Sequence, residues 1–95
     1  MKIGVIIPAR NALPWIGEML ASIHSQTHSA QAYIAEDRSD DGTHEWLREH
    51  PELWASMRRN RKRLGWAGSL NAAAKLALAD GCDAIFTASA DDRLH

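Results

Sequence analysis

Carboxylates gather at two places in this chain: Glu36-Asp37 with Asp40-Asp41, and Asp91-Asp92 close to the last residue. Adjacent carboxylates repel each other unless a cation or hydrogen-bond donors compensate them. Clustered oxygen ligands suit Mg²⁺ or Mn²⁺, usually with a substrate phosphate completing the shell. An acidic cluster is by default a solvated loop. Position changes that reading here. Each cluster follows a short apolar run, and a third polar group, Pro8-Ala9-Arg10-Asn11, follows another.

Those apolar runs read as strands. Ile3-Gly4-Val5-Ile6-Ile7 is a largely β-branched run expected to be buried on both faces and to stop at Pro8. Ala32-Tyr33-Ile34-Ala35 precedes Glu36-Asp37, residues 54–59 form a brief third candidate, and residues 83–88 precede Ser89-Ala90-Asp91-Asp92. Helical patterns lie between them. Ile16, Leu20 and Ile23 form one stripe after Pro14, a residue suited to a first helical turn. Asp41-Gly42-Thr43 is a turn and cap for a short helix through Trp46 and Leu47. Gly65 to Ser69 leads into an Ala-rich helix with Leu70, Ala73, Ala74 and Ala77 on one side and Gly81 past its end.

The order is β-α-β-α-β-α-β with short loops. Right-handed crossovers then give a parallel sheet covered by helices on both faces, an α/β fold of three layers. In such a sheet ligands sit outside the carboxyl ends of the strands. The three polar groups therefore share one edge, and the acidic run is one wall of a crevice. The last strand has no helix after it, so half of a larger domain, or a truncated one, is expected.

Bulk properties exclude several classes. A chain of 95 residues makes one domain at most, and 45% apolar with 24% charged residues is ordinary globular composition. The formal net charge of -1 excludes a chain built to hold nucleic acid; the basic run from Arg58 to Arg63 is local. The single cysteine, Cys82, fits a reducing compartment and a small buried residue. No segment approaches the roughly 18 apolar residues of a membrane span. A cytoplasmic location is expected, with the parent protein at the cytoplasmic face of a membrane as a further possibility.

Other motifs are weaker. No P-loop or G-x-G-x-x-G is present. His24 and His28 have metal-binding spacing but sit where histidine caps helix carbonyls. Trp15, Trp46 and Trp54 read as core residues; Trp66, in a Gly-rich loop, is the one placed near a ligand.

Four stretches together resemble inverting family-two glycosyltransferases of the GT-A fold. Val5-Ile6-Ile7-Pro8-Ala9-Arg10-Asn11 is similar to their "V-x-I-P-x-Y/R-N" turn, and residues 36–43 to "D-D-G-S-x-D-G-T". Residues 65–71 are similar to "G-x-x-x-A-R-N", and Ser89-Ala90-Asp91-Asp92 to the "D-x-D-D" metal motif. Three departures stand out: Ser89 for the first acid, Arg38 for a Gly, and Leu70 for an Arg.

The resemblance implies a sheet in the order third, second, first, last strand, and the nucleotide-binding half of a nucleotide-diphospho-sugar transferase. Pro8, Ala9, Arg10, Asn11, Glu36, Asp37, Gly65 and Asp91 would line the nucleotide pocket, with Asp37 accepting the N3–H of uracil or a similar base. Asp91 and Asp92 would hold Mn²⁺ or Mg²⁺ bridging the diphosphate of an NDP-sugar, a UDP-sugar being favoured. The catalytic base is expected beyond His95, so no catalytic residue is assigned in this chain and the fragment alone should be inactive. Sugar and acceptor are not specified. The uncovered last strand is expected to favour self-association. The rival readings are a non-catalytic flavodoxin-like nucleotide-binding or interaction module and a signalling receiver. The receiver wants a Lys after a late strand, and none follows Ser89.

Overall fold

The structure is a computed structural model that describes residues 2–26 and 30–88. Four parallel strands, β1 (Ile3–Ala9), β2 (Ala30–Glu36), β3 (Ser56–Arg59) and β4 (Ala84–Thr87), form one sheet in the order β3-β2-β1-β4. Helices α1 (Leu13–Gln26), α2 (Thr43–Glu49) and α3 (Gly65–Ala79) connect them, with a short 3-10 turn at Pro51–Leu53. The first and last strands are neighbours, as the crevice requires.

Strand alternation sorts the core onto two faces. Ile7, Ala9, Ala32 and Ile34 pack with Ile16 and Leu20 of α1 and Leu47 of α2, and Trp15, Trp46 and Trp54 close over this side. Ile6, Tyr33 and Ala35 face the other way, against Ala73 and Ala77 of α3. The small residues of α3 let that helix lie close to the sheet. Gly4 shows how close: a Cβ there would stand 2.9 Å from Cys82 Sγ and 3.1 Å from Ala77 Cβ. Tyr33, fully buried, donates its phenol O–H to Asp80 Oδ2 at 2.5 Å, and Asp80 also pairs with Lys2 at 3.0 Å. Burial first, then the Asp80 carboxylate, push the Tyr33 phenol above its ordinary pKa.

β1 does not stop at Pro8 but runs through it to Ala9, in register with β2 up to Ala9↔Glu36. The reason lies in which neighbour each residue faces. Ala9 O accepts from Asp37 N–H beyond β2, whereas Ile6 O accepts from Ala88 N–H beyond β4. Pro8 therefore faces the β4 side, and with no N–H to return to Ala88 the β1–β4 pairing ends at Ile6↔Thr87 while the pairing with β2 continues to Ala9. β4 is an edge strand and leaves Phe86 59% exposed.

Candidate functional site

Asp37 follows β2 directly and is only 3% exposed, yet it is charged. Its carboxylate collects four donors from the segment between β3 and α3. Oδ1 accepts from Asn60 Nδ2 at 3.0 Å and from the Leu64 N–H at 2.8 Å. Oδ2 accepts from Arg63 Nε at 3.2 Å and from the Gly65 N–H at 3.0 Å. Four donors match the capacity of a carboxylate's two oxygens. Two of them are the amides that open α3, where a negative charge also complements the helix dipole. Burial alone would raise the Asp37 pKa; the bonds from Asn60, Leu64, Arg63 and Gly65 outweigh it and hold the carboxyl below its ordinary value. Gly65 makes this possible with φ of 77°, a left-handed conformation that costs glycine nothing.

The remaining carboxylates of the acidic run turn elsewhere. Glu36, fully buried, accepts from the Ser39 N–H at 2.7 Å, and its Oε1 lies 3.2 Å from Arg59 Nε as an ion pair rather than an aligned hydrogen bond. Asp41 accepts from the N–H of Leu13 at 3.2 Å and of Thr43 at 3.0 Å, so one side chain serves the first residues of α1 and α2. Burial opposes its ionised form, but these bonds and the Thr43 hydroxyl keep its pKa low. Asn11 completes the knot. At φ of 51° it donates its N–H to Ser39 Oγ at 2.8 Å and accepts from the Asp40 N–H at 2.9 Å. The loops after β1 and β2 are thus tied into one rigid edge.

A cavity of about 270 Å³ opens at that edge, lined by Pro8, Ala9, Arg10, Asp37, Gly65 and Trp66, with Arg63 and Ser69 beside them. The structure brings together five of the expected residues, Pro8, Ala9, Arg10, Asp37 and Gly65. Asn11 and Glu36 instead brace the loops behind it. Asp91 and Asp92 lie outside the described residues, as does His28; His24 is exposed at the far end of α1. Trp66 lines the cavity and is 56% exposed. A larger cavity of about 410 Å³ lies by Ala30, Ala32 and Trp54, at the opposite ends of the strands. Among the described residues no three His, Cys, Asp or Glu side chains gather as metal ligands.

Asn60, Arg63 and Ser69 were not among the expected site residues. Ser69 shares its turn spacing with buried Ala73 and Ala77, and accepts from the second N–H of Asn60 Nδ2 at 3.0 Å. Asn60 is the one uncharged residue between Arg58 and Arg63. That is the signal that could have found it.

The family profile described as Glycosyl transferase family 2 matches residues 4–95. The chain belongs to glycosyl transferase family 2. Two crystal structures share its fold: S. aureus TarS 1-349 in complex with UDP, at 21% identity and a TM-score of 0.77, and S. aureus TarS 1-349, at 22% and 0.76. They cover 96% and 97% of this chain, which spans 28% of each of theirs. At that identity the likeness shows the fold, the GT-A arrangement of family 2. No curated protein sequence matches the chain. Among the described residues no helix is long and apolar enough to cross a membrane.

Proposed function

We propose that this chain is the donor half of a family 2 glycosyl transferase domain and that its strand-end cavity receives the nucleoside diphosphate of a sugar donor. The observation that carries the reading is the cavity's position. It opens outside the carboxyl ends of β1 and β2, where open α/β sheets bind ligands, and its walls are Pro8, Ala9, Arg10, Asp37 and Gly65. At about 270 Å³ it is close to the roughly 300 Å³ at which small-molecule pockets begin. Trp66 offers an aromatic face at its mouth. UDP is favoured as the nucleotide, supported by the UDP bound to TarS, whose fold this chain shares.

Asp37 meets a base only by exchange. Both oxygens are occupied, so an N3–H reaching Oδ2 displaces Arg63, whose side chain is 53% exposed and can leave. The fixed amides of Leu64 and Gly65 stay behind and keep the carboxylate in place. Asp37 is the one carboxylate among the described lining residues, and its engaged lone pairs and depressed pKa disqualify it as a general base. Transfer therefore requires a base that these residues do not provide, and the chain alone is expected to bind donor without turning it over.

The described residues form no metal centre, and Asp37 has no oxygen lone pair to spare for one. Mn²⁺ or Mg²⁺ binding rests on Asp91 and Asp92, where the cation would neutralise the diphosphate leaving group. The lone cysteine supports a cytoplasmic domain.

Titration with UDP, followed by amide chemical shifts with and without Mn²⁺, tests the reading. Perturbations at Ala9, Asp37, Gly65 and Trp66 are expected. Their absence at millimolar UDP sinks the donor assignment, and hydrolysis or transfer of a UDP-sugar by this chain sinks the claim that it lacks a base.

A further inference from the structure

The cationic run from Arg58 to Arg63 divides into two sets. Arg59 and Arg63 turn inward and pair with Glu36 and Asp37. Arg58, Arg61 and Lys62 form no ion pair among the described residues, and neither does Lys75 of α3. Strand register explains the split. Met57 and Arg59 fall on the face of the sheet that carries α1 and α2, so Arg58, paired in register with Ala35, falls on the face that carries α3. There the four cations line a single concavity of about 260 Å³, together with Asn71, and among the described residues no lining side chain is acidic. Asn71 and Lys75 stand four residues apart on α3, one turn above the other.

Like charges on a solvated face spread apart to lower their mutual repulsion. Here a strand, a loop and a helix deliver four of them to one small hollow with no carboxylate among its described walls. From this convergence we propose a phosphate-binding site between β3 and α3, distinct from the strand-end cavity and independent of the donor reading. Two guanidinium groups can each bind phosphate oxygens in a bidentate manner, and two ammonium groups add point charge. The Asn71 amide supplies a neutral donor. The hollow's size suits one phosphate or diphosphate group, which a phosphorylated small molecule or a phospholipid headgroup could present equally.

The experiment is an amide chemical-shift titration of the chain with pyrophosphate at constant ionic strength and without divalent metal. It is repeated on the double variant Arg61→Gln/Lys62→Gln. Both substituted residues are exposed, so the variant should fold, and unchanged amide shifts away from the hollow in the absence of any ligand would confirm that. Saturable shifts are expected at Arg58, Arg61, Lys62, Asn71 and Lys75, and the double variant should bind roughly tenfold more weakly. Flotation with vesicles of phosphatidylcholine, with or without phosphatidic acid, then separates the sources. Flotation that needs phosphatidic acid and is lost in the variant assigns the site to a headgroup; no flotation assigns it to a soluble phosphate. A pyrophosphate response that fails to saturate at this hollow, or that survives the double substitution, overturns the proposal whatever the vesicles do.

Discussion

Asn60 Nδ2 stands 3.0 Å from Asp37 Oδ1, so the residue after β3 and the residue after β2 share a hydrogen bond inside the site. Asn60 is buried and its N–H also donates to Glu36 O at 2.8 Å, which fixes its backbone beside β2. Its amide group therefore positions the one carboxylate that lines the cavity among the described residues. Asn60→Ala is expected to cost about 1–3 kcal/mol, the range for leaving buried polar partners unmet. Asn60→Asp should cost more at neutral pH, because it sets a second carboxylate against Asp37, and should recover in part as the pH falls toward 4. Urea unfolding of both variants at pH 7 and pH 5 checks the order. Asn60→Asp as stable as wild type at pH 7 would remove Asn60 from this role.

The acid limb of stability should depend on the same carboxylate. Asp37 and Asp41 both have folded pKa values below the ordinary 3.8. A depressed carboxylate contributes stability that is present above its unfolded pKa and lost as the pH drops through its folded value. The chain is thus expected to weaken progressively below about pH 4. Asp37→Asn cannot accept at both positions, since its amide nitrogen would face either the Leu64 or the Gly65 N–H. It should lower stability at pH 7 and flatten the loss between pH 4 and pH 2.5. A wild-type acid profile in Asp37→Asn, measured by thermal unfolding, contradicts this.

Two backbone positions make opposite predictions. Arg38 sits at φ of 61°, in the place where the family pattern carries glycine, and among the described residues its one side-chain hydrogen bond is a long one of 3.4 Å to Asn60 O. Arg38→Gly should therefore stabilise the fold by up to about 1 kcal/mol, the left-handed penalty less the entropy of glycine. Gly65 sits at φ of 77° with nothing within 4 Å of a Cβ built there. Gly65→Ala should cost about 1 kcal/mol through backbone strain alone. Denaturant midpoints decide both, and a stabilising Gly65→Ala would show that the turn can relax.

The strands and their parallel arrangement were legible because apolar runs of four to seven residues, separated by helical stripes, imply right-handed crossovers, while the strand order came from the family resemblance. The shared edge of Pro8-Ala9-Arg10 and Asp37 followed from the strands being parallel. Where the reading stopped, the cause was geometric. Pro8 ends the pairing of β1 with β4 but not with β2, because of which neighbour it faces, and register is not visible in one strand. Arg58, Arg59, Arg61 and Arg63 look alike in sequence, yet register and loop path send two of them to buried carboxylates and two to the exposed hollow beside α3. The acidic run suggested a wall of charge. Glu36 instead accepts a loop amide and Asp41 the amides at two helix starts, and of the run only Asp37 lines the cavity.

The last prediction separates Arg63 as a placeholder from Arg63 as a ligand contact. Its Nε occupies Asp37 Oδ2 at 3.2 Å, the oxygen a base N3–H would use, while its side chain is largely in solvent. An exposed ion pair of this kind is worth about 0–1 kcal/mol, so displacing it costs the nucleotide little. Arg63→Ala removes that cost and leaves the Leu64 and Gly65 amides to hold the carboxylate. UDP should then bind up to about fivefold more tightly, with the largest gain in shift at Asp37 and Gly65. Arg63→Lys should fall between, because a lysine can still reach the oxygen but with a single point contact. Calorimetric titration of UDP into the three proteins reads the order directly. Weaker binding by Arg63→Ala would mean that the guanidinium moves onto the nucleotide instead of making way for it.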